Sequence, residues 1–350
     1  GSFKAWGRIE PVEGESYYVG GINLDLKGDV EYTKLKVAFS GRVEKLLVKN
    51  RMDYENLEVE GEYLWRRRKE SILNGRLWKA NTWLSFNYSL KDKTFEGSFV
   101  GLELDSRLLN IKRDISSIIS GSLRVNLKKK YLNLQVHTPL LKVDQHTLNN
   151  CTLKLDLDYS HASKGNFDFL ALQPFYFNLK GSFSKGSVVG EVTLLDYPLQ
   201  VENLSSKLSY RGSIHIKDGK FSTEGDGRLL DLTYKDISLG PASYRLKLDG
   251  DSYSLDLKGE AFSLSGGGSL EEKSFSGRLS FMGMDLSYKD LLVKSLNGHM
   301  DIRADKNSLK LVGNLSTFLS RDRLSSHVLL SLDMTKKGEE VFGSFEGGLK

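Results

Sequence analysis

At 350 residues the chain exceeds the roughly 250–300 at which one hydrophobic core stops growing, so a compact single domain is disfavoured against modules or an elongated array. Fifty basic against 45 acidic residues leave a net charge of +5, a balanced surface that gives no reason to expect a nucleic-acid partner. The single cysteine excludes an intramolecular disulfide, and no apolar run approaches the roughly 20 residues of a membrane-spanning helix.

From the N-terminus onward, apolar and polar residues alternate with the period of two that only a strand turns into one oily face. Leu24 and Leu26 open the series, followed by Val37 and Phe39, then Leu84 and Phe86. Between residues 107 and 120 the pattern changes: Leu108, Ile111, Ile115 and Ile118 fall on one face of a helix, a natural boundary between repeat units. Alternation resumes with Leu123, Val125 and Leu127, then Leu132, Leu134 and Val136, then Leu153, Leu155 and Leu157. Phe175, Phe177 and Leu179 carry it on, as do Leu246 and Leu248, Leu255 and Leu257, and finally Leu309, Leu311 and Leu315. The count comes to about two dozen strands of ordinary length.

A glycine followed by a polar and then an apolar residue punctuates these runs, beginning at Gly28, Gly41, Gly97, Gly121, Gly190, Gly212, Gly268, Gly277, Gly298 and Gly313. In many runs the glycine keeps the parity of the apolar face, as at Gly313 between Leu311 and Leu315, where a missing side chain lets a strand bend sharply. The other reading is a hairpin position chosen for positive φ, and turns are expected at Gly225 to Gly227 and Gly266 to Gly268.

An apolar sheet face has to be covered, since each large side chain removed from water contributes roughly 1.5–3 kcal/mol. One short helix cannot cover so many strands. The sheet must therefore close on itself or curl into a trough, and two dozen stacked strands would span on the order of 100 Å. Five scattered prolines and the absence of any linker favour one continuous array over residues 3–350, with Gly1 and Ser2 read as an expression scar and the whole as a piece of a longer repeat protein.

Catalytic signals are sparse. His137, His146, His161, His215, His299 and His327 are dispersed, and no zinc, nucleophile-elbow, Walker or dinucleotide motif occurs. His137, Asp144 and His146 come nearest to a ligand set, at a spacing that arises easily by chance. Asp156 and Asp158 keep the polar parity, and Cys151 reads as a small strand-end side chain. The basic runs Arg66 to Lys69 and Lys128 to Lys130 lack an aromatic stacking platform and read as solvated hairpin ends. The expectation is a non-enzymatic protein with no cofactor and no metal.

The alternating strands with Gly-polar-apolar phrases, best seen from Phe275 to Phe281 and from Leu309 to Ser316, resemble the repeat regions of TamB and other AsmA-like proteins of diderm bacteria. That resemblance implies an all-β, elongated, curled antiparallel sheet forming a U-shaped, taco-like groove with an apolar interior and at most one or two short helices. It further implies a periplasmic phospholipid conduit between inner and outer membranes, with acyl chains in the groove and headgroups in water. The membrane anchor and membrane contacts would belong to segments outside this chain. The groove lining would be the alternating residues named above, from Leu24 to Leu315. The alternatives are a structural β-repeat scaffold, or an assembly factor that binds client strands alongside an outer-membrane barrel protein.

Overall fold

The computed structural model describes residues 1–14, 17–48, 52–67, 71–106, 113–160, 164–235, 237–288, 291–321, 324–337 and 340–349. Among these residues, hydrogen bonding assigns 25 strands to one antiparallel sheet that is not closed into a barrel. The fold class is therefore the all-β architecture that the alternation demanded.

Two compact units divide the chain within one strand, the first holding residues 1–174 and 180–185, the second 175–179 and 186–350. The first contains β1 (Ser2–Ile9), β2 (Val12–Gly14), β3 (Tyr17–Val19), β4 (Ile22–Glu31), β5 (Lys34–Val48), β6 (Met52–Arg66), β7 (Ile72–Lys79), β8 (Thr82–Ser89), β9 (Thr94–Asp105), β10 (Ile115–Asn126), β11 (Tyr131–Val143), β12 (His146–Asp158) and β13 (Lys164–Ala171). The division falls in β14 (Tyr176–Ser184). The second unit continues with β15 (Ser187–Val201), β16 (Leu204–Lys217), β17 (Lys220–Tyr234), β18 (Ile237–Asp249), β19 (Ser252–Gly259), β20 (Phe262–Ser269), β21 (Ser274–Tyr288), β22 (Leu291–Ala304), β23 (Ser308–Arg321), β24 (Leu324–Lys337) and β25 (Glu340–Leu349).

Strand length carries an internal period. The short pairs β7–β8, β13–β14 and β19–β20 begin at Ile72, Lys164 and Ser252, each separated from the next by four long strands. A six-strand module thus recurs about every 90 residues. Of the stretch 107–120 read as a helix, Ile115 to Ser120 lie in β10, while 107–112, with Leu108 and Ile111, are outside the described residues. Ile115 and Ile118 take opposite parities in β10, so the face the sequence suggested is split between the two sides of the sheet, and Ile118 is 58% exposed on the outer one.

Register turns the alternation into continuous cross-strand rows. In the first unit one row runs Leu24, Gly41, Val59, Leu77, Leu84, Phe99, Gly121, Val136, Leu153. Beside it run Leu26, Phe39, Gly61, Gly75, Phe86, Gly97, Leu123, Leu134, Leu155. Partners in register point to the same side of a sheet, so all these residues share one face.

The glycines in these rows sit mid-strand. A Cβ built on Gly41 would overlap the Asn23 carbonyl oxygen, and one on Gly313 would overlap that of His299. Aromatic rings fill the space instead: Phe39 lies over Gly61, Phe86 over Gly75, Tyr210 over Gly212 and Tyr244 over Gly227. The turns expected at Gly225 to Gly227 and Gly266 to Gly268 are not there, because these residues lie inside β17 and β20 with no positive φ. Close strand approach, not hairpin geometry, selects glycine at these positions.

Left-handed residues mark a second device. Asp196, Asp231, Gly240, Gly283 and Ser295 have positive φ, and Asp196, Asp231, Gly283 and Ser295 lie at register slips in β15, β17, β21 and β22. Each such bulge bends its strand and reverses which parity faces inward. Past the bulges the long strands converge beyond the ends of the short pair β19–β20, and β18 contacts β21 directly. There the second unit has its core: Leu232, Ala242, Phe262, Met284 and Leu296. The first unit has a smaller core of Val43, Leu57 and Val59.

Candidate apolar trough

In the second unit the inner face is concave. Seven strands, β15 to β21, line an open trough of about 830 Å³. Its twenty lining residues are all Leu, Ile, Phe, Tyr or Met. The floor is two cross-strand rows, Leu246 with Leu255, and Tyr244, Leu257, Leu264 and Leu279. Leu232, Tyr234, Ile237, Leu239, Met284 and Leu286, on the far sides of the bulges, build the wall. Most of the lining residues, Leu255 and Leu257 among them, remain half-buried, so the apolar surface is in reach of a ligand.

Tyrosine hydroxyls on the floor are consumed by the sheet. Tyr244 donates to the Ser209 carbonyl at 3.1 Å, and the Tyr210 hydroxyl meets Thr223 Oγ1 at 2.7 Å. Their rings stack with centroids 6.4 Å apart, Tyr244 over Gly227 and Tyr210 over Gly212 and Gly225, offering carbon surface to the trough. Burial, and then the nearby Tyr210, pushes the Tyr244 hydroxyl up to about 12. A raised folded value means a contribution to stability that is complete below the unfolded value near 10 and is lost as pH rises from there to about 12. Absorbance titration of phenolate should therefore show a late-ionising tyrosine that disappears in Tyr244→Phe; an unchanged titration in that variant would contradict the buried setting.

The sequence-derived lining divides by place. Leu246, Leu255 and Leu257 line the trough, and Leu248, Leu309, Leu311 and Leu315 lie on the same face in rows with Tyr253, Ala304, Ile302 and Gly298. In the first unit Leu24, Leu26, Val37, Phe39, Leu84, Phe86, Leu123, Val125, Leu132, Leu134, Val136, Leu153, Leu155 and Leu157 all share one face by register. Leu127 does not belong to that face, because β10 ends at Asn126 and Leu127 sits in the following turn, 52% exposed. Phe175 precedes β14 and packs its ring edge-on against Tyr197 at 4.9 Å, while Phe177 and Leu179 are half-buried in β14. Reading by parity missed most of the wall, since Leu232 and Met284 follow bulges that switch parity.

The outer face carries the charge. Cross-strand pairs such as Arg42–Glu58 at 3.0 Å and Arg278–Asp301 at 2.7 Å are open to solvent, whose screening leaves each contributing little to stability. In the first unit this face is concave as well, with a hollow of about 1210 Å³ over β1 and β4 to β9. One polar row there runs Trp6, Asp25, Ser40, Glu60, Arg76, Ser85, Ser98, and the next runs Lys4, Lys27, Ala38, Glu62, Asn74, Asn87, Glu96. Asp156 is also on the outer face, where hydrogen bonds from Tyr131 and then Asn133 hold its carboxyl below the usual range.

Residues weighed for chemistry are scattered. Asp144 accepts from Arg113 at 2.8 Å, and among the described residues no three His, Cys, Asp or Glu side chains gather as a metal set. Cys151 is 1% exposed inside β12, and burial raises its thiol, which disfavours the reactive thiolate. Lys128 to Lys130 occupy an exposed turn, Arg67 stacks over Tyr32 at 5.1 Å, and 68–69 and His161 lie outside the described residues.

A large antiparallel sheet presenting an open apolar trough is the class that fold and site define. No family model matches the chain, and no solved structure matches it. It is similar to an uncharacterized protein of Aquifex aeolicus (strain VF5), 22% identical over 339 residues that cover 95% of this chain and 30% of that protein. The chain thus spans less than a third of its relative's length.

Proposed function

We propose that this chain is a section of a non-enzymatic lipid conduit, holding acyl chains against its apolar face while headgroups stay in water. The observation that carries this reading is the trough of the second unit, about 830 Å³ and lined only by Leu, Ile, Phe, Tyr and Met. Apolar surface of this extent left open to water is a liability unless something apolar occupies it. An acyl chain needs no hydrogen-bonding partner, and the floor tyrosines Tyr210 and Tyr244 turn their hydroxyls to the sheet. The implied setting, a periplasmic bridge from inner to outer membrane, rests on the resemblance to AsmA-like proteins and belongs to the whole protein.

The test pairs native mass spectrometry with photo-crosslinking from Leu255 on the floor and from Asp256, its neighbour on the opposite face. Co-purified phospholipid that crosslinks from position 255 alone is the expected result. Lipid-free protein, unreactive at both positions when phospholipid is added, would transfer the assignment to a structural scaffold.

A further inference from the structure

We propose that the polar hollow of the first unit is a second binding site, for an extended neutral polysaccharide strand. The hollow lies on the outer face of β1 and β4 to β9 and is independent of the lipid reading. Three observations converge on a sugar.

Trp6 stands in its wall 85% exposed, an indole face with nothing packed on it. Indole faces are covered well by the C–H face of a pyranose, which is apolar while its rim is hydroxylated. Arg76 is held flat by two further indoles, its guanidinium carbon 5.7 Å from the Trp78 ring centre and 5.3 Å from that of Trp83. A guanidinium held on aromatic faces keeps its in-plane N–H donors free for a ligand oxygen.

Second, the neighbouring polar groups are not used up within the protein. Among the described residues, the amides of Asn74 and Asn87 and the carboxylate of Glu60 have no side-chain hydrogen bond or ion pair. An amide offers donors and an acceptor together, which suits the paired donor and acceptor character of vicinal hydroxyls. Third, charge sets the class of ligand: Lys4, Lys27 and Arg76 face Asp25, Glu60, Glu62 and Glu96, so the hollow as a whole neither attracts a polyanion nor a polycation. Spacing also agrees, because an extended β-1,4-linked chain advances roughly 5 Å per sugar, close to the ~4.8 Å between adjacent strands. A glycan lying across the strands would meet a fresh pair of polar side chains at each sugar.

The experiment is titration of the folded chain with cellohexaose, a neutral β-1,4 hexasaccharide, followed by calorimetry and tryptophan fluorescence. Saturable binding at micromolar to millimolar ligand, insensitive to salt, is expected. Trp6→Ala and the double variant Asn74→Ala/Asn87→Ala, each with wild-type circular dichroism, should weaken it about tenfold or more, as removal of two or more contacts does. Absence of saturable binding would overturn the proposal. So would wild-type affinity in both variants, or a steep salt dependence with preference for a sulfated hexasaccharide, which would mark a simple charged surface.

Discussion

Truncating Phe262 to alanine should lower stability by about 3–5 kcal/mol, the usual range for removing a buried aromatic ring. Phe262 is 6% exposed and belongs to the core with Leu232, Ala242, Met284 and Leu296, where the long strands close beyond the end of β19–β20. Its ring also covers Gly259, whose missing side chain leaves room for it. Little else can move in, because β19 ends at Gly259 and the neighbouring side chains are already committed to the trough wall. In a sheet of successive hairpins each strand depends mainly on its neighbours, so the loss should be local. Hydrogen exchange should accelerate in β17 to β22 and leave β4 to β8 protected. Val312→Ala, on the outer face of β23, should stay within about 0.5 kcal/mol. A Phe262→Ala protein with unchanged melting and exchange would mean that the bulged arms do not form a core.

How far the sequence discloses this architecture depends on where alternation holds. Leu153, Leu155 and Leu157 pair with Val136, Leu134 and Leu132, so two runs that look alike in sequence prove to be the same face of adjacent strands. Period two survives wherever strands are regular, and strand number and inward parity can be read there. It fails at bulges. Leu229 faces inward on odd parity and Leu232 on even, because Asp231 at φ 56 inserts an extra residue between them. Asp and Ser do not announce a left-handed conformation as glycine does, so the switches at Asp196, Asp231 and Ser295 are silent in sequence. The switch at Asp231 sets the inward turn of Leu232 in the trough wall, which is why the floor residues Leu246, Leu255 and Leu257 were legible and Leu232 was not.

The false helix has a different cause. Ile115 and Ile118 stand three apart, a helical spacing, but their β-branched side chains favour a pleated surface, and in β10 they point to opposite faces. The six-strand period was equally hidden. Glycine phrases mark close approach within any strand, whereas the module is defined by strand length, and length is set by where the bulged arms extend past the short pairs.

Leu255→Asp should abolish lipid loading while leaving the empty protein folded. Leu255 lies mid-floor, in register with Leu246 on one side and Gly266 on the other. With the trough empty the introduced carboxylate stays hydrated, since position 255 is only half-buried, and melting should shift little. With acyl chains in place the same carboxylate would be stripped of water without a partner, at a cost of several kcal/mol. A difference of about 3 kcal/mol is already more than a hundredfold in occupancy. The introduced group also supplies its own control: below its titration near pH 4 it is neutral, and loading should partly return. Asp256→Leu, on the opposite face, should leave loading intact. If position 255 instead lay in a core that closes in solution, Leu255→Asp would destabilise the folded chain itself by that several-kcal/mol penalty. Melting temperature and lipid content, measured on one preparation, therefore separate an open conduit from a closed core.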